Sequence, residues 1–230
     1  MRMKILIISA TWMEVRLLAD EFQYKGEKNN NLKSYRYKNY EIDILISGIG
    51  TTFTTFHLTN TLINQPYSLV INVGIAGSFS GELKIGQVVN VVSEEFADLG
   101  IEDKNEFLTL FDSGYLATDE FPFENGVIKN SGFGFKNNLT PVRGITTNKS
   151  NGRDSSINEL RTKFNAHIES MEGAAVFYVC KWLSIPFYEI RAVSNYVEPR
   201  DSSRWDIPLA LENLSKSVTG VLEGLEVEVN

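Results

Sequence analysis

The sequence predicts an α/β fold with a mixed, mostly parallel sheet covered by helices on both faces. Strand-like apolar runs alternate with helical patterns from end to end, and several of those runs are short and continuously apolar, as buried strands are. A third observation is Gln87–Phe96, a long β-branched run of the kind that curls around a partly closed barrel. No repeat, linker or composition break divides the 230 residues, so a single domain over 1–230 is expected.

The elements follow in order. Lys4–Ser9 reads as the first strand, too short for a signal-peptide core or a membrane span. Met13–Phe22 reads as a helix with Val15, Leu17, Leu18 and Phe22 on its apolar side. Tyr35–Tyr37 and Glu41–Ser47 suggest a hairpin around Lys38-Asn39-Tyr40. A helix from Thr51 to about Ile63 offers Phe53, Phe56, Leu58, Leu62 and Ile63 for burial. Ser68–Val73 is a buried strand expected to end in a turn, Gly74-Ile75-Ala76-Gly77. Residues 99–140 carry turn formers (Asp112-Ser113-Gly114, Asn125-Gly126, Ser131-Gly132-Phe133-Gly134) and little periodicity. Val142–Thr147 is a strand, Ser155–Phe164 a helix, and His167–Glu169 a short strand. The most regular helix is Met171–Leu183, with Ala174, Ala175, Val176, Phe177, Val179 and Trp182 apolar. Pro186–Ser194 is a strand and Pro208–Leu225 the closing helix.

Composition narrows the function. A net charge of −7 argues against a surface that neutralises nucleic-acid phosphates or sits on anionic lipid. One cysteine, Cys180, forms no internal disulfide, two histidines build no histidine-rich metal cage, and a reducing cytoplasm is expected. Neither glycine segment has the phosphate-loop or dinucleotide spacing. A Gly-x-Ser-x-Gly elbow is absent. Asp98, Glu102, Asp103 and Glu106 lack calcium-loop spacing and read as solvated loop charges.

In open α/β sheets ligands bind at the carboxyl ends of strands. That directs attention to Ala10–Glu14, Ser47–Gly50, Gly74–Gly77, Thr146–Asn148, Ser170–Glu172 and Ser194–Asn195. Glu14, Glu172 and Asn195 are the chemically interesting residues there. Each has a plainer explanation: a solvated first-turn acid, a carboxylate complementing a helix dipole, a turn former or cap.

Taken in order, Met3–Ala10 with Glu14, Ser47-Gly48-Ile49-Gly50, Val73–Gly77, Ser170-Met171-Glu172-Gly173-Ala174-Ala175 and Pro186–Ser194 resemble the nucleoside phosphorylase / nucleosidase superfamily. The methylthioadenosine/S-adenosylhomocysteine nucleosidases are its nearest well-known members. Ser194–Asp201 with Trp205-Asp206-Ile207-Pro208 is most similar to the futalosine hydrolase branch. The resemblance covers the chain outside 99–140. It implies a three-layer α/β/α fold and an N-glycosidase that uses no cofactor and no metal. It also implies a cytoplasmic homodimer or higher oligomer, with Thr51–Ile63 a plausible contact.

The resemblance also implies roles. Superfamily phosphorylases hold phosphate with an arginine where this chain has Asn72. An amide supplies neither that charge nor its fork, so water is the expected nucleophile. Adenine-specific nucleosidases carry aspartate where this chain has Asn195. A carboxamide donates to a 6-oxo group, while a carboxylate would oppose it, so a 6-oxopurine such as hypoxanthine is expected as the leaving base. Methylthioadenosine or another purine nucleoside is the alternative substrate, and a non-catalytic nucleoside binder the alternative class. By the same carry-over Glu14 activates water and Glu172 grips the ribose hydroxyls. Arg191 orders the carboxylates, Met171 lines the ribose, and Ala76 and Gly77 keep backbone close to the reacting carbon. Thr147 and Asn148 flank the base, while Trp205 is a lid or a core residue. A futalosine tail bears an aromatic carboxylate, for which a basic or hydroxyl-rich pocket is expected.

Overall fold

The computed structural model describes residues 3–104, 106–130 and 138–225. In chain order the elements are β1 (Lys4–Ser9), α1 (Trp12–Asp20), β2 (Gln23–Asn29), β3 (Leu32–Tyr37), β4 (Tyr40–Ile46), α2 (Thr51–Asn64), β5 (Leu69–Ser78), β6 (Val88–Phe96), β7 (Gly100–Asp103), β8 (Glu106–Thr109), β9 (Ile128–Lys129), β10 (Thr140–Thr146), α3 (Asp154–Lys163), β11 (Ile168–Ser170), α4 (Gly173–Trp182), β12 (Phe187–Tyr196) and α5 (Ile207–Gly224). The main sheet runs β11-β10-β6-β12-β5-β1-β4-β3-β2.

Alternation along β1 explains the layers. Ile5 and Ile7 face α1 and α5, packing with Val15, Leu18, Leu214, Val218 and Leu222. Leu6 and Ile8 face α2 and α4, packing with Leu58, Leu62, Phe177 and Cys180. A strand covered on both sides must be apolar at every position, which is why the run reads as unbroken. Phe177 meets Phe187 edge-on at 4.6 Å between ring centroids, fixing α4 against β12.

The barrel forms because β5 is longer than its neighbour. Leu69–Asn72 pairs in parallel with β1, and beyond it Gly77 and Ser78 pair antiparallel with Glu169 and Ile168 of β11. That last pairing closes β5, β12, β6, β10 and β11 on themselves. The Gly74–Gly77 segment is therefore strand, not the expected turn. Gly74 stays in the strand for a packing reason. A Cβ there would overlap Arg191 Nη1 and lie 2.7 Å from Glu14 Oε1.

Other expectations are corrected. Leu17, Phe53, Phe56, Ile63 and Trp182 are exposed rather than buried, while Thr54 and Thr61 take the inner face of α2. Phe22 is buried but lies beyond α1. The hairpin forms where expected, with Tyr37 paired to Tyr40 and Lys38 in the left-handed region (φ 49°), but β3 begins earlier, at Leu32. Within 99–140, β7 pairs β8 and β9 pairs β6. Asn125-Gly126, both at positive φ, makes the tight turn of the Glu124–Val127 bridge. The Ser131–Gly134 turn formers lie outside the described residues. No helix among the described residues is long and apolar enough to cross a membrane.

Candidate active site

The carboxyl ends of the strands converge on a cavity of about 300 Å³. Glu14, Ala76, Gly77, Thr147, Met171, Glu172, Asn195 and Trp205 line it. Asn148 and Arg191 do not.

Glu14 is held from two strands. Its Oε2 accepts from Thr11 N (3.0 Å), Thr11 Oγ1 (2.8 Å) and Ser9 Oγ (3.2 Å), and its Oε1 accepts from Ile75 N (3.2 Å). It is thus the acid that caps the start of α1, as the plainer reading has it. It is also buried and tied to β5, which a solvated first-turn acid would not be.

Glu172 occupies the N-cap position of α4, yet its carboxylate reaches across to another helix start. Oε1 accepts from Gly50 N (3.1 Å), the N-cap of α2, and Oε2 lies 3.6 Å from Arg191 Nη1. Gly50 sits at φ 95°, which suits glycine, and in that conformation its N–H meets the carboxylate. Burial raises the Glu172 carboxyl above its ordinary value, with the Arg191 charge and the Gly50 N–H pulling the other way.

Arg191 lies beneath the cavity floor, 1% exposed. Its Nε donates to Glu189 Oε1 at 2.6 Å, and Nη1 faces Glu172. Burial disfavours its charge, but the surrounding carboxylates outweigh that, so it stays protonated. Glu189 and Glu94 are fully buried beside it, both raised first of all by burial, and Glu94 further by the charge of Glu189. Glycines make the room: a Cβ on Gly173 would come within 2.8 Å of Glu189 Oε1 and collide with Glu94. Asn72 pairs opposite Glu189 in the sheet, buried and away from the cavity.

A β-bulge presents Asn195. The register of β12 on β5 steps from Val193↔Ala76 to Asn195↔Gly77, so Ser194 is an extra residue and both it and Asn195 line the cavity. Asn195 Oδ1 accepts from Ser194 Oγ (2.8 Å), and Nδ2 donates to the Tyr196 carbonyl (3.0 Å). The amide is fixed in one orientation with one donor and one acceptor position left over.

Sequence reasoning passed over Glu169, which lines the cavity near Asn195. A Cβ on Gly77 would lie 3.2 Å from Asn195 Nδ2 and 3.5 Å from Glu169 Cγ. Glu169 accepts from Asn151 Nδ2 (3.0 Å), and burial raises its carboxyl. Its signal was available, since it stands within the Glu169–Ala175 motif itself. Thr147 is buried behind this end, bonded through Oγ1 to the Lys149 carbonyl. Asn148 turns away: its Oδ1 accepts from Thr51 N (3.0 Å) and Thr51 Oγ1 (2.8 Å) at the start of α2, and its Nδ2 donates to Asp98. Trp205 is half-buried at the rim under the Arg200 guanidinium, 4.8 Å from its ring centroid, so it is not a core residue.

The Phosphorylase superfamily pattern matches residues 4–223. The chain is 32% identical over 218 residues to the futalosine hydrolase of Acidothermus cellulolyticus, covering 93% of this chain and 88% of that one. Two solved structures from Helicobacter pylori share the fold. One is a variant of the nucleosidase MTAN with 5′-methylthioadenosine in its active site (TM-score 0.79, 20% identity, 97% and 99% of the two chains). The other is the futalosine hydrolase of strain 26695 (TM-score 0.78, 19% identity, 96% and 97%). From the first strand to the last helix, the chain belongs to the phosphorylase superfamily.

Proposed function

We propose that the protein hydrolyses the N-glycosidic bond of futalosine and releases hypoxanthine, a step in menaquinone biosynthesis. The observation that carries this reading is the orientation of Asn195, whose amide is held so that a donor remains for a 6-oxo group, in one cavity with the carboxyl groups of Glu14, Glu169 and Glu172. The similarity to futalosine hydrolases supports it.

In this mechanism the base lies against Asn195 and the ribose between Glu14 and Glu172. Glu172 accepts from the 2′- and 3′-hydroxyls, and its charge favours the oxocarbenium-like sugar. Arg191 holds Glu172 from below. The bond from C1′ to the purine nitrogen breaks and its electron pair leaves with the base. Water adds to C1′ and gives a proton to Glu14. The departing purine takes a proton on N7, and Glu169, whose buried carboxyl holds a proton more readily than usual, is the acid placed beside it. Met171, Ala76 and Gly77 shape the sugar site, Thr147 backs the base, and Trp205 covers the rim.

Water rather than phosphate as nucleophile is supported by the charges. The reacting centre is flanked by Glu14 and Glu172, and Arg191 is engaged by Glu172 and Glu189. The deciding experiment supplies futalosine with and without orthophosphate and identifies the sugar product. Free sugar and hypoxanthine at a phosphate-independent rate are expected; a sugar 1-phosphate would overturn the reading.

We further propose a cytoplasmic homo-oligomer that meets through α2, whose Phe53, Phe56 and Ile63 stand exposed. Cys180 is a buried free thiol, in keeping with a reducing compartment. Light scattering on Phe56→Glu with Ile63→Glu should read a smaller mass than wild type; an unchanged oligomer would place the contact elsewhere.

A further inference from the structure

Helix α2 starts without a cap of its own. Its N-cap is Gly50, which has no side chain to offer, and its first N–H groups go to side chains from distant parts of the chain. Gly50 N donates to Glu172 Oε1 at 3.1 Å. The next N–H, that of Thr51, donates to Asn148 Oδ1 at 3.0 Å, and Thr51 Oγ1 joins it at 2.8 Å. A Cβ on Gly50 would lie 3.3 Å from the same Asn148 oxygen. Only the two torsions of Gly50 separate the peptide planes that carry these donors, and glycine torsions are the least restricted. Holding one plane therefore limits where the other N–H points.

Asn148 itself stands on fixed ground. Thr147 N donates to the Ser170 carbonyl at 3.1 Å, and Ala97 N to the Thr146 carbonyl at 2.9 Å, so Asn148 and Asp98 leave adjoining, anchored strand ends. Asp98 accepts from the Asn148 backbone N–H and, at 3.3 Å, from Asn148 Nδ2. With its NH2 on one carboxylate and its oxygen on Thr51, the amide has one orientation. A continuous chain of bonds thus runs from Asp98 through Asn148, Thr51 and Gly50 to Glu172. Asn148 is exposed and outside the catalytic cavity, so whatever it contributes to the reaction passes through that chain.

We propose that Asn148, fixed by Asp98, is a positioning residue for Glu172: it holds the start of α2 so that the Gly50 N–H occupies Oε1 and leaves the remaining lone pairs of the carboxylate aimed at the ribose hydroxyls. This rests on the reading that Glu172 grips those hydroxyls, and it names what aims the carboxylate. A precise site depends on such support, because a ligand group is only as well placed as the contacts that hold it.

The test measures kcat/KM on futalosine and on its 3′-deoxy analogue, whose ratio reports the grip on that hydroxyl. Wild type should prefer futalosine by about ten-fold or more, the worth of a hydrogen bond to a charged group. Asn148→Ala should cut that preference about five-fold, the usual effect of removing a cap. A general loss of fold, or a loosened base loop, would lower both rates and leave their ratio alone. Asn148→Asp sets a carboxylate against Asp98 and should cut the preference too. The exchanged pair Asn148→Asp/Asp98→Asn again sets a donor against an acceptor at each contact, and should return the preference to within about two-fold of wild type. An unchanged ratio in Asn148→Ala, or an exchanged pair no better than Asn148→Asp alone, overturns the proposal. A wild type that cleaves neither nucleoside, or both alike, is a different failure, visible before any variant is compared: it overturns the function reading or the place of Glu172 in it, and this role with it.

Discussion

Replacing Asn195 with aspartate exchanges one NH2 for an oxygen at the point where the base is read. In the wild type that NH2 donates to the Tyr196 carbonyl at 3.0 Å, while Oδ1 accepts from Ser194 Oγ at 2.8 Å. The aspartate can keep the Ser194 bond, but its second oxygen then faces the Tyr196 carbonyl, two acceptors opposed at that distance. Its remaining lone pairs face O6 of a 6-oxopurine instead of donating to it. Losing a buried bond to a polar partner costs about 1–3 kcal/mol, and losing one to a base that gathers charge in the transition state costs a similar amount. Together these amount to roughly 2–6 kcal/mol, or about 30-fold to 10⁴-fold in kcat/KM for futalosine. The assay is steady-state release of hypoxanthine from futalosine and of adenine from methylthioadenosine, with Tm as the control for folding. The ratio of oxo to amino activity should fall, because a carboxylate accepts from the 6-amino group. Asn195→Ala should lower both activities without inverting the ratio. A folded Asn195→Asp protein with unchanged selectivity refutes the role assigned to the amide.

Glu14→Gln should lower kcat by about 10²–10⁴ with a smaller change in KM, since the amide takes no proton from water; its single oxygen can keep the bonds from Thr11 or the one from Ile75, not both, so Tm serves as the control for folding; a wild-type kcat would remove Glu14 from the chemistry. If Glu169 holds the proton that goes to the base, activity falls as pH rises through its raised value, and Glu169→Gln should abolish that alkaline limb in the pH profile of kcat. Glu94 and Glu189 bind protons more tightly in the folded chain than in the unfolded one. Above the ordinary value of 4.5 the unfolded chain releases those protons first, so stability declines as pH rises through the raised values. Glu94→Gln keeps a partner for Thr146 Oγ1 and removes the repulsion, so Tm against pH should flatten, with a gain of a few degrees at alkaline pH; a lower Tm at every pH contradicts this.

The buried elements were legible because their pattern is dictated by what covers them. β1 and α4 sit between two layers or against the sheet, and their apolar runs appear at the expected places. β2 was not legible: Gln23–Asn29 is an edge strand exposed almost throughout, so no face selects apolar residues and no alternation appears. The exposed aromatics of α2 misled in the opposite sense, since hydrophobic residues are not confined to interiors. The end of β5 was hidden by its glycines. They signal a turn locally, but here they clear space for Arg191, Glu14 and Asn195.

The site was legible where strand ends carry unusual residues, and less so where contacts join distant segments. Glu14, Glu172 and Asn195 could be selected because ligands gather at those ends. Asn148 sits at such an end too, but bonds a helix start 97 residues away, a partner no local pattern announces. The Glu94–Glu189–Arg191 cluster depends on side chains from β6 and β12 meeting under the floor. The bulge at Ser194 likewise arises from pairing with β5, not from the residues of β12 alone.

The measurement that bears most directly on the central claim is a competition in which futalosine and methylthioadenosine are offered together without phosphate, and the released bases are quantified. The amide at the purine edge requires hypoxanthine to appear in large excess over adenine, reflecting a kcat/KM ratio of about 10² or more. Adenine in equal or greater amount would contradict it.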